Sequence, residues 1–227
     1  MRFPSCRACD TPRVEWRLLA GVSAEDVNRL VAVAQRRLFR RGQVVFSSED
    51  HADALHLVVR GHFAVRVMTP TGETVLLAVV GAGDAFGELA LVSDGRRGAT
   101  VQAFSDGETL ALHRDAFEAL RRARPQVDRS LAVILAERLR RVNDLLMEAH
   151  YVDADLRVRR RLVELGEAFD GTIPLTQEEI AQTAGTSRAT VNRVLREEEA
   201  AGAVELGRGR TTVTDAAALH ARSRATR

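Results

Sequence analysis

Leu175-Thr-Gln-Glu-Glu-Ile-Ala-Gln-Thr-Ala-Gly-Thr-Ser-Arg-Ala-Thr-Val-Asn-Arg-Val-Leu195 is the stretch from which the rest of this chain can be read. It encodes two short helices joined by a tight turn. Thr176, with Glu179 three residues later, is a capping-box pattern. Ile180, Ala181 and Ala184 share one face of the first helix. Gly185 can take the positive φ that ends it. Ser187 suits the N-cap of the second helix. There Val191, Val194 and Leu195 fall on one side, and Arg188, Ala189, Asn192, Arg193 and Arg196 on the other.

An apolar side that seats a helix, opposite an Arg-rich side, is what a major-groove reader needs. Arg bonds guanine edges bidentately, and Asn does the same with adenine. The stretch resembles a DNA-binding helix-turn-helix, with Ala181, Gly185 and Val191 at its small, turn and buried positions. The plainer reading is a helical hairpin with a solvated charged face. Agreement of cap, turn and both faces argues against it.

At 227 residues the chain suits one large domain or two modest ones. Apolar content of 45% supports a packed core, and 4% aromatics make that core Leu-, Val- and Ala-rich. All 33 basic residues are Arg, which reads as codon bias. Net charge is only +2, and from Asp153 onward Arg and acidic residues balance. A nucleic-acid signal must therefore come from the arrangement of charge, not its sum. No apolar run approaches the roughly 20 residues of a membrane span, and no signal-peptide core opens the chain. Two Cys without a secretory signal point to the cytoplasm. Cys6-x-x-Cys9 invites a redox or metal reading, but zinc wants about four ligands, so no metal is expected. No nucleophile–base set, HExxH or Walker loop suggests an enzyme.

Outward from the opening stretch, Val14–Arg37 reads as helical, with Ser23 and Asp26 capping a second segment. From Leu38 the period changes to short β-branched runs: 44–46, 55–59, 63–67, 74–80, 101–104 and 109–112. Gly42, Gly61, Gly72, Gly81 and Gly83 punctuate them, which argues for an antiparallel sandwich or roll. Thr69–Glu73 reads as a hairpin loop. Helix returns at Asp115, and Pro125 opens the longest one, to about His150. Leu131, Leu135, Leu139, Val142, Leu146 and Ala149 recur along it at spacings of four and three, a coiled-coil-like seam. That seam suits either its own domain or a twin helix across a two-fold axis. Pairing is favoured because such readers bind two half-sites. Leu156–Phe169 is helical, with Arg157, Arg159, Arg160 and Arg161 near its start. Such a run is usually a solvated face, though beside a helix-turn-helix it can touch phosphate. Ala203–Leu206 and Thr211–Thr214 flank Gly207-Arg-Gly-Arg210 as a wing-like hairpin. The tail from Ala216 is expected to fray.

Helix, β-roll, long helix and winged helix-turn-helix, in that order, resemble the Crp/Fnr family of bacterial transcription regulators over residues of about 14–215. One internal motif is similar to that family's phosphate-binding cassette: Gly83-Asp-Ala-Phe-Gly-Glu-Leu-Ala-Leu91, then Arg96-Arg-Gly-Ala-Thr-Val101. Gly87 lets backbone approach a ligand closely. The turn into a helix at Glu88-Leu89-Ala90 offers free N–H groups. Glu88 suits a ribose hydroxyl and Arg97 a phosphate. The alternative is that Glu88 and Arg97 simply pair across a surface turn. Three departures stand out. Gly98 replaces the hydroxyl residue that follows the phosphate Arg in cyclic-AMP binders, leaving only its backbone N–H, with Ala99 next. Val142 and Asn143 stand where the family places an adenine-contacting Thr-Ser, and only Asn143 can bond a base. Glu49 replaces a usual Gly. In the reader helix Ala189 replaces a family Glu, and Arg193 matches a later Arg, so the preferred half-site should differ at one base pair.

The resemblance implies an α+β chain in four parts: an arm (1–13), an effector-sensing antiparallel β-roll (14–124), a dimerisation helix (125–150) and a winged helix-turn-helix (151–227). Arg188, Ala189, Asn192 and Arg193 face bases, while Thr176, Ser187 and Arg210 position the protein on phosphates. Gly87, Glu88, Leu89, Arg97, Gly98, Ala99 and Asn143 would meet cyclic AMP or another cyclic nucleotide. The implied partners are a palindromic double-stranded operator, a second copy of the chain, RNA polymerase and a small effector, with no membrane. Three alternatives share much of this pattern: the same architecture sensing redox state or metal through Cys6 and Cys9, a regulator without an effector, and a nucleotide-binding module without a DNA role.

Overall fold

The computed structural model describes residues 14–69, 72, 74–92 and 95–224. Cys6, Cys9 and the rest of the expected arm lie outside the described residues, as does part of the 69–73 loop. Contacts divide the chain into two units, residues 1–65 with 80–136 and residues 66–79 with 137–227.

In the first unit a 3-10 turn (Arg17–Leu19) buries Leu18 and Leu19, and Trp16 donates its indole N–H to the Val58 carbonyl at 2.9 Å. Helix α1 (Ala24–Val33) starts at Ser23, whose hydroxyl accepts from the Asp26 N–H at 3.2 Å. It stops short of the expected Arg37. Ala34 turns extended, and β1 (Gln35–Phe39) begins, pairing antiparallel with β8 (Gly107–His113). That pairing satisfies the backbone and seats Phe39 in the core.

Six further strands complete the roll: β2 (Val44–Phe46), β3 (Ala54–Arg60), β4 (Phe63–Met68), β5 (Thr74–Val80), β6 (Ala85–Phe86) and β7 (Thr100–Ala103), with β4 beyond Val65 and β5 up to Val79 grouped in the second unit. They form sheets of order β1-β8-β3-β6 and β2-β7-β4-β5. β3 shows the logic of the arrangement. Strand alternation sends Leu55, Leu57 and Val59 to one face, with Trp16, Leu110 and Phe117. It sends Val58 to the other, with Phe39, Phe63 and Phe86. Both faces are covered, so the strand reads apolar through Val59 apart from His56. Helix α2 (Leu89–Val92) is a single turn in the cassette. Helix α3 (Arg114–Ala123) and the first turns of α4 (Gln126–Tyr151) close the outer face, where Phe117 and Val127 are fully buried. The expected seam on α4 thus divides. Leu131 and Leu135 pack within the first unit, while Leu139, Val142 and Leu146 are exposed on the second.

The second unit continues with α5 (Ala154–Ala168), β9 (Thr172–Ile173), α6 (Gln177–Ala184), α7 (Arg188–Ala200), β10 (Val204–Gly207), β11 (Arg210–Val213) and α8 (Ala216–Arg224). The strands form a sheet of order β10-β11-β9, and the β10–β11 hairpin turns at Arg208-Gly209. The tail that composition suggested would fray is instead α8, packed on α5. Leu219 is fully buried, and Arg222 meets Glu198 at 2.6 Å. Burying one such Leu is worth about 2 kcal/mol.

Candidate DNA-reading surface and anion cradle

Short-range chemistry builds the reading helix. At the start of α6 the Glu179 N–H donates to Thr176 Oγ1 at 3.2 Å, and the Thr176 N–H donates to Glu179 Oε2 at 2.8 Å. This is the reciprocal box expected from sequence. Gly185 ends α6 in the left-handed region, with φ 58 and ψ 47. Ser187 then accepts from the Thr190 N–H at 3.2 Å and opens α7. Val191, Val194 and Leu195 are fully buried, while Arg188, Ala189, Asn192, Arg193 and Arg196 are all exposed.

The exposed residues are not equivalent. Arg188 has no ion-pair partner among the described residues. Asn192 Nδ2 donates to Gln177 Oε1 at 3.1 Å. Arg193 is held by Asp155 of α5 and by Glu197 one turn on. Donating hydrogen bonds to Asp155 first, then to Glu197, raises its pKa above the usual Arg value. Arg196 lies 3.6 Å from Glu199. The hydroxyls of Thr176 and Ser187 are engaged locally, with Glu179 and Thr190. Arg208 and Arg210 are exposed at the wing. The Arg210 stem crosses Gly207, where a Cβ would sit 2.9 Å from it.

The Arg run of α5 turns inward rather than toward phosphate. Arg157 Nε donates to the Ala184 carbonyl at 2.9 Å, Nη2 to the Gly185 carbonyl at 2.9 Å and Nη1 to the Val152 carbonyl at 2.7 Å. It caps the last turn of α6 and pins the turn of the motif. Arg159 meets Glu197 at 2.7 Å and Glu198 at 2.8 Å. Arg160 and Arg161 share Glu148, and Arg161 is buried. Nothing in the run itself signalled this, because the acidic partners come from other elements.

In the roll, Arg97 is 3% exposed. Nη1 donates to the Gly87 carbonyl at 2.9 Å and Nη2 to the Ala54 carbonyl at 2.6 Å. The Phe46 ring covers the guanidinium, 4.0 Å from its centroid, and Asp53 lies 3.6 Å away. Burial lowers the Arg97 pKa, and the charges of Asp53, Asp50 and Glu88 oppose that shift. Its buried Nε has no hydrogen-bond partner. Gly87 sits at φ +85, where a Cβ would come within 2.5 Å of Arg97 Nη1, so backbone and guanidinium meet only through a glycine. Glu88 is buried beside it. Leu89 is half exposed as the first residue of α2, Ala99 is partly buried, and Gly98 is exposed with open space around it. Asn143 belongs to the second unit, where it is exposed on α4. A buried guanidinium with one unmatched N–H, approached by glycine backbone, fits the phosphate of a cyclic nucleotide.

One residue of the roll interior escaped the sequence reading. His56 stacks on Phe86 (centroids 5.0 Å apart, planes 6° off parallel), with Nδ1 3.0 Å from Thr109 Oγ1. Burial first, then the charge of Arg97, pushes its pKa down to about 3, so the ring is neutral. A lone His within an apolar strand was the only available signal.

Fold and site together define a cyclic-nucleotide-type β-roll with a winged helix-turn-helix. A model of the cyclic nucleotide-binding domain matches residues 36–124, and a model of the Crp-like helix-turn-helix domain matches residues 156–222. The cyclic AMP receptor protein of Thermus thermophilus is 38% identical over 205 residues, 89% of this chain and 94% of that one. The CRP-like cAMP-activated global transcriptional regulator of Mycobacterium tuberculosis is 31% identical over 215 residues, 91% of this chain and 96% of that one. Among solved structures, the Thermus thermophilus catabolite activator protein aligns with a TM-score of 0.54 and 36% identity, over 91% of this chain and 98% of that one. The chain belongs to the Crp/Fnr family of bacterial transcription regulators. No helix among the described residues is long and apolar enough to cross a membrane.

Proposed function

We propose that this chain acts in the cytoplasm as a homodimer that binds a palindromic DNA operator under the control of a cyclic nucleotide, with cyclic AMP the first candidate. The observation that carries the reading is α7: a fully buried apolar face opposite exposed Arg188, Ala189, Asn192 and Arg193. Arg188 and Arg193 read bases, Ala189 contacts a thymine methyl rather than cytosine N4, and Asn192 reads after exchanging Gln177 for a base edge. Thr176, Ser187 and Arg210 hold the protein on phosphates. Domain limits of 14–124, 125–150 and 151–227 divide the roles of sensing, pairing and reading.

The exposed Leu139, Val142 and Leu146 support pairing of α4 with its twin. Two reader helices then face half-sites about 34 Å apart. Arg97 with Gly87, Glu88, Leu89, Gly98 and Ala99 would hold a cyclic nucleotide's phosphate and ribose. The nucleotide supplies a phosphate anion that pairs with the Arg97 guanidinium. Ligand preference for one pairing of the long helices would then set the spacing of the readers. RNA polymerase is the downstream partner.

A second reading has its own observation. Both Nη groups of Arg97 are already bonded to backbone carbonyls, and Gly98 supplies no hydroxyl, which favours a regulator without a nucleotide effector. Calorimetric titration with cyclic AMP and cyclic GMP separates the two. Heat and a thermal shift with either support sensing, and none at 100 µM, an excess expected to reveal ordinary affinity, removes it. For the DNA end, Arg188→Ala should cost about 1–3 kcal/mol of operator binding and relax preference at one base pair. An unchanged motif in selection from randomised duplexes would sink that assignment.

A further inference from the structure

Arg193 carries five N–H donors in one plane. Three are engaged within the protein: Nη1 donates to Asp155 Oδ2 at 2.8 Å and to Glu197 Oε1 at 3.0 Å, and Nη2 donates to Asp155 Oδ1. Asp155 thus takes the end of the fork. The Nε–H and the second Nη2 hydrogen remain, and they share the other edge of the guanidinium. A two-donor edge of that kind is what meets guanine O6 and N7. The Asp155 side chain is 32% exposed and that of Arg193 53%, so the carboxylate is the more sheltered of the pair. Asp155 stands in the first turn of α5, outside the helix-turn-helix, on a helix packed against α7.

We propose that Asp155 is a positioning residue that presents Arg193 as a guanine-reading fork, and so sets part of the base specificity from outside the reading motif. The inference rests on the reading of α7 as the base-contacting helix. With two carboxylates against it, Arg193 adds little net attraction for phosphate but keeps its donor geometry. Holding a long side chain in place before binding also lowers the entropy lost on contact. Arg188, with no such buttress among the described residues, is left to order itself on DNA.

The test is selection from randomised duplexes, with and without cyclic AMP, using wild type, Arg193→Ala, Asp155→Ala and Asp155→Asn. Arg193→Ala defines the base pair concerned by losing preference there. Asp155→Ala should lower guanine preference at that same base pair about tenfold. Binding to unrelated duplex should hold or tighten slightly, since an acid has been removed. Asp155→Asn, which keeps one acceptor, should fall between. Thermal unfolding confirms that each variant is folded. If Arg193→Ala leaves the profile unchanged, the base-reading assignment fails and this inference with it. If Arg193→Ala erases the preference and Asp155→Ala keeps it, this inference alone fails. It fails equally if Asp155→Ala weakens or strengthens all sequences alike, since that marks a structural or competing role.

Discussion

Arg157 shows how much one side chain can hold in this unit. Its three bonds to the carbonyls of Val152, Ala184 and Gly185 satisfy groups that a helix end leaves open. Arg157→Ala should destabilise the chain by about 2 kcal/mol, read by urea unfolding with far-ultraviolet circular dichroism. A loss below about 0.5 kcal/mol would return Arg157 to the solvated face. His56 makes a prediction of opposite kind, about pH. Its folded pKa of about 3 lies below the ordinary 6.5. The unfolded chain therefore takes up a proton first as pH falls. The stabilising contribution of neutral His56 is complete above about pH 6.5 and is lost progressively toward pH 3. Between pH 7 and pH 5 this amounts to about 2 kcal/mol. His56→Phe should show that much less acid sensitivity over the same interval, whatever its stability at pH 7. Equal sensitivity in both proteins would mean that His56 is not the group responsible.

Among the elements, α6 and α7 were the most legible from sequence, because caps and faces are decided within one or two turns. Thr176, Glu179, Gly185 and Ser187 all act where their spacing placed them. Gly185→Ala should cost about 1 kcal/mol by thermal unfolding, from its left-handed backbone alone, since no atom lies within 4 Å of the added Cβ. A cost of several kcal/mol would point to a clash absent from this structure. Other elements were hidden because their partners are remote. Arg36 and Arg37 continue a helical composition, and only β8 makes them a strand. The tail becomes α8 because α5 offers a face on which Leu219 is buried. In the cassette, Gly87 and Arg97 were legible as residue types. That Arg97 bonds to the Gly87 and Ala54 carbonyls, rather than standing open, was not.

For the whole molecule, the exposed seam makes assembly the property to measure. Leu139→Glu with Val142→Glu places charge where the twin helix is proposed to pack. The double variant should sediment as a monomer and bind a palindromic site at least tenfold more weakly. A variant that remains a dimer would move the interface elsewhere. The sequence pattern showed the seam's period but not its division, since Leu131 and Leu135 look like Leu139 and Leu146 until the core of the first unit claims them.

The inward-turned arginines of α5 also bear on how the protein finds its site. Arg157, Arg159, Arg160 and Arg161 bond to carbonyls and carboxylates of their own unit. Those four cations are committed within the protein, and hold on random sequence is almost wholly a matter of phosphate neutralisation. Sliding along DNA depends on that grip. If α7 reads an operator as proposed, the internal pairing of those four side chains should shorten residence on the wrong sequence.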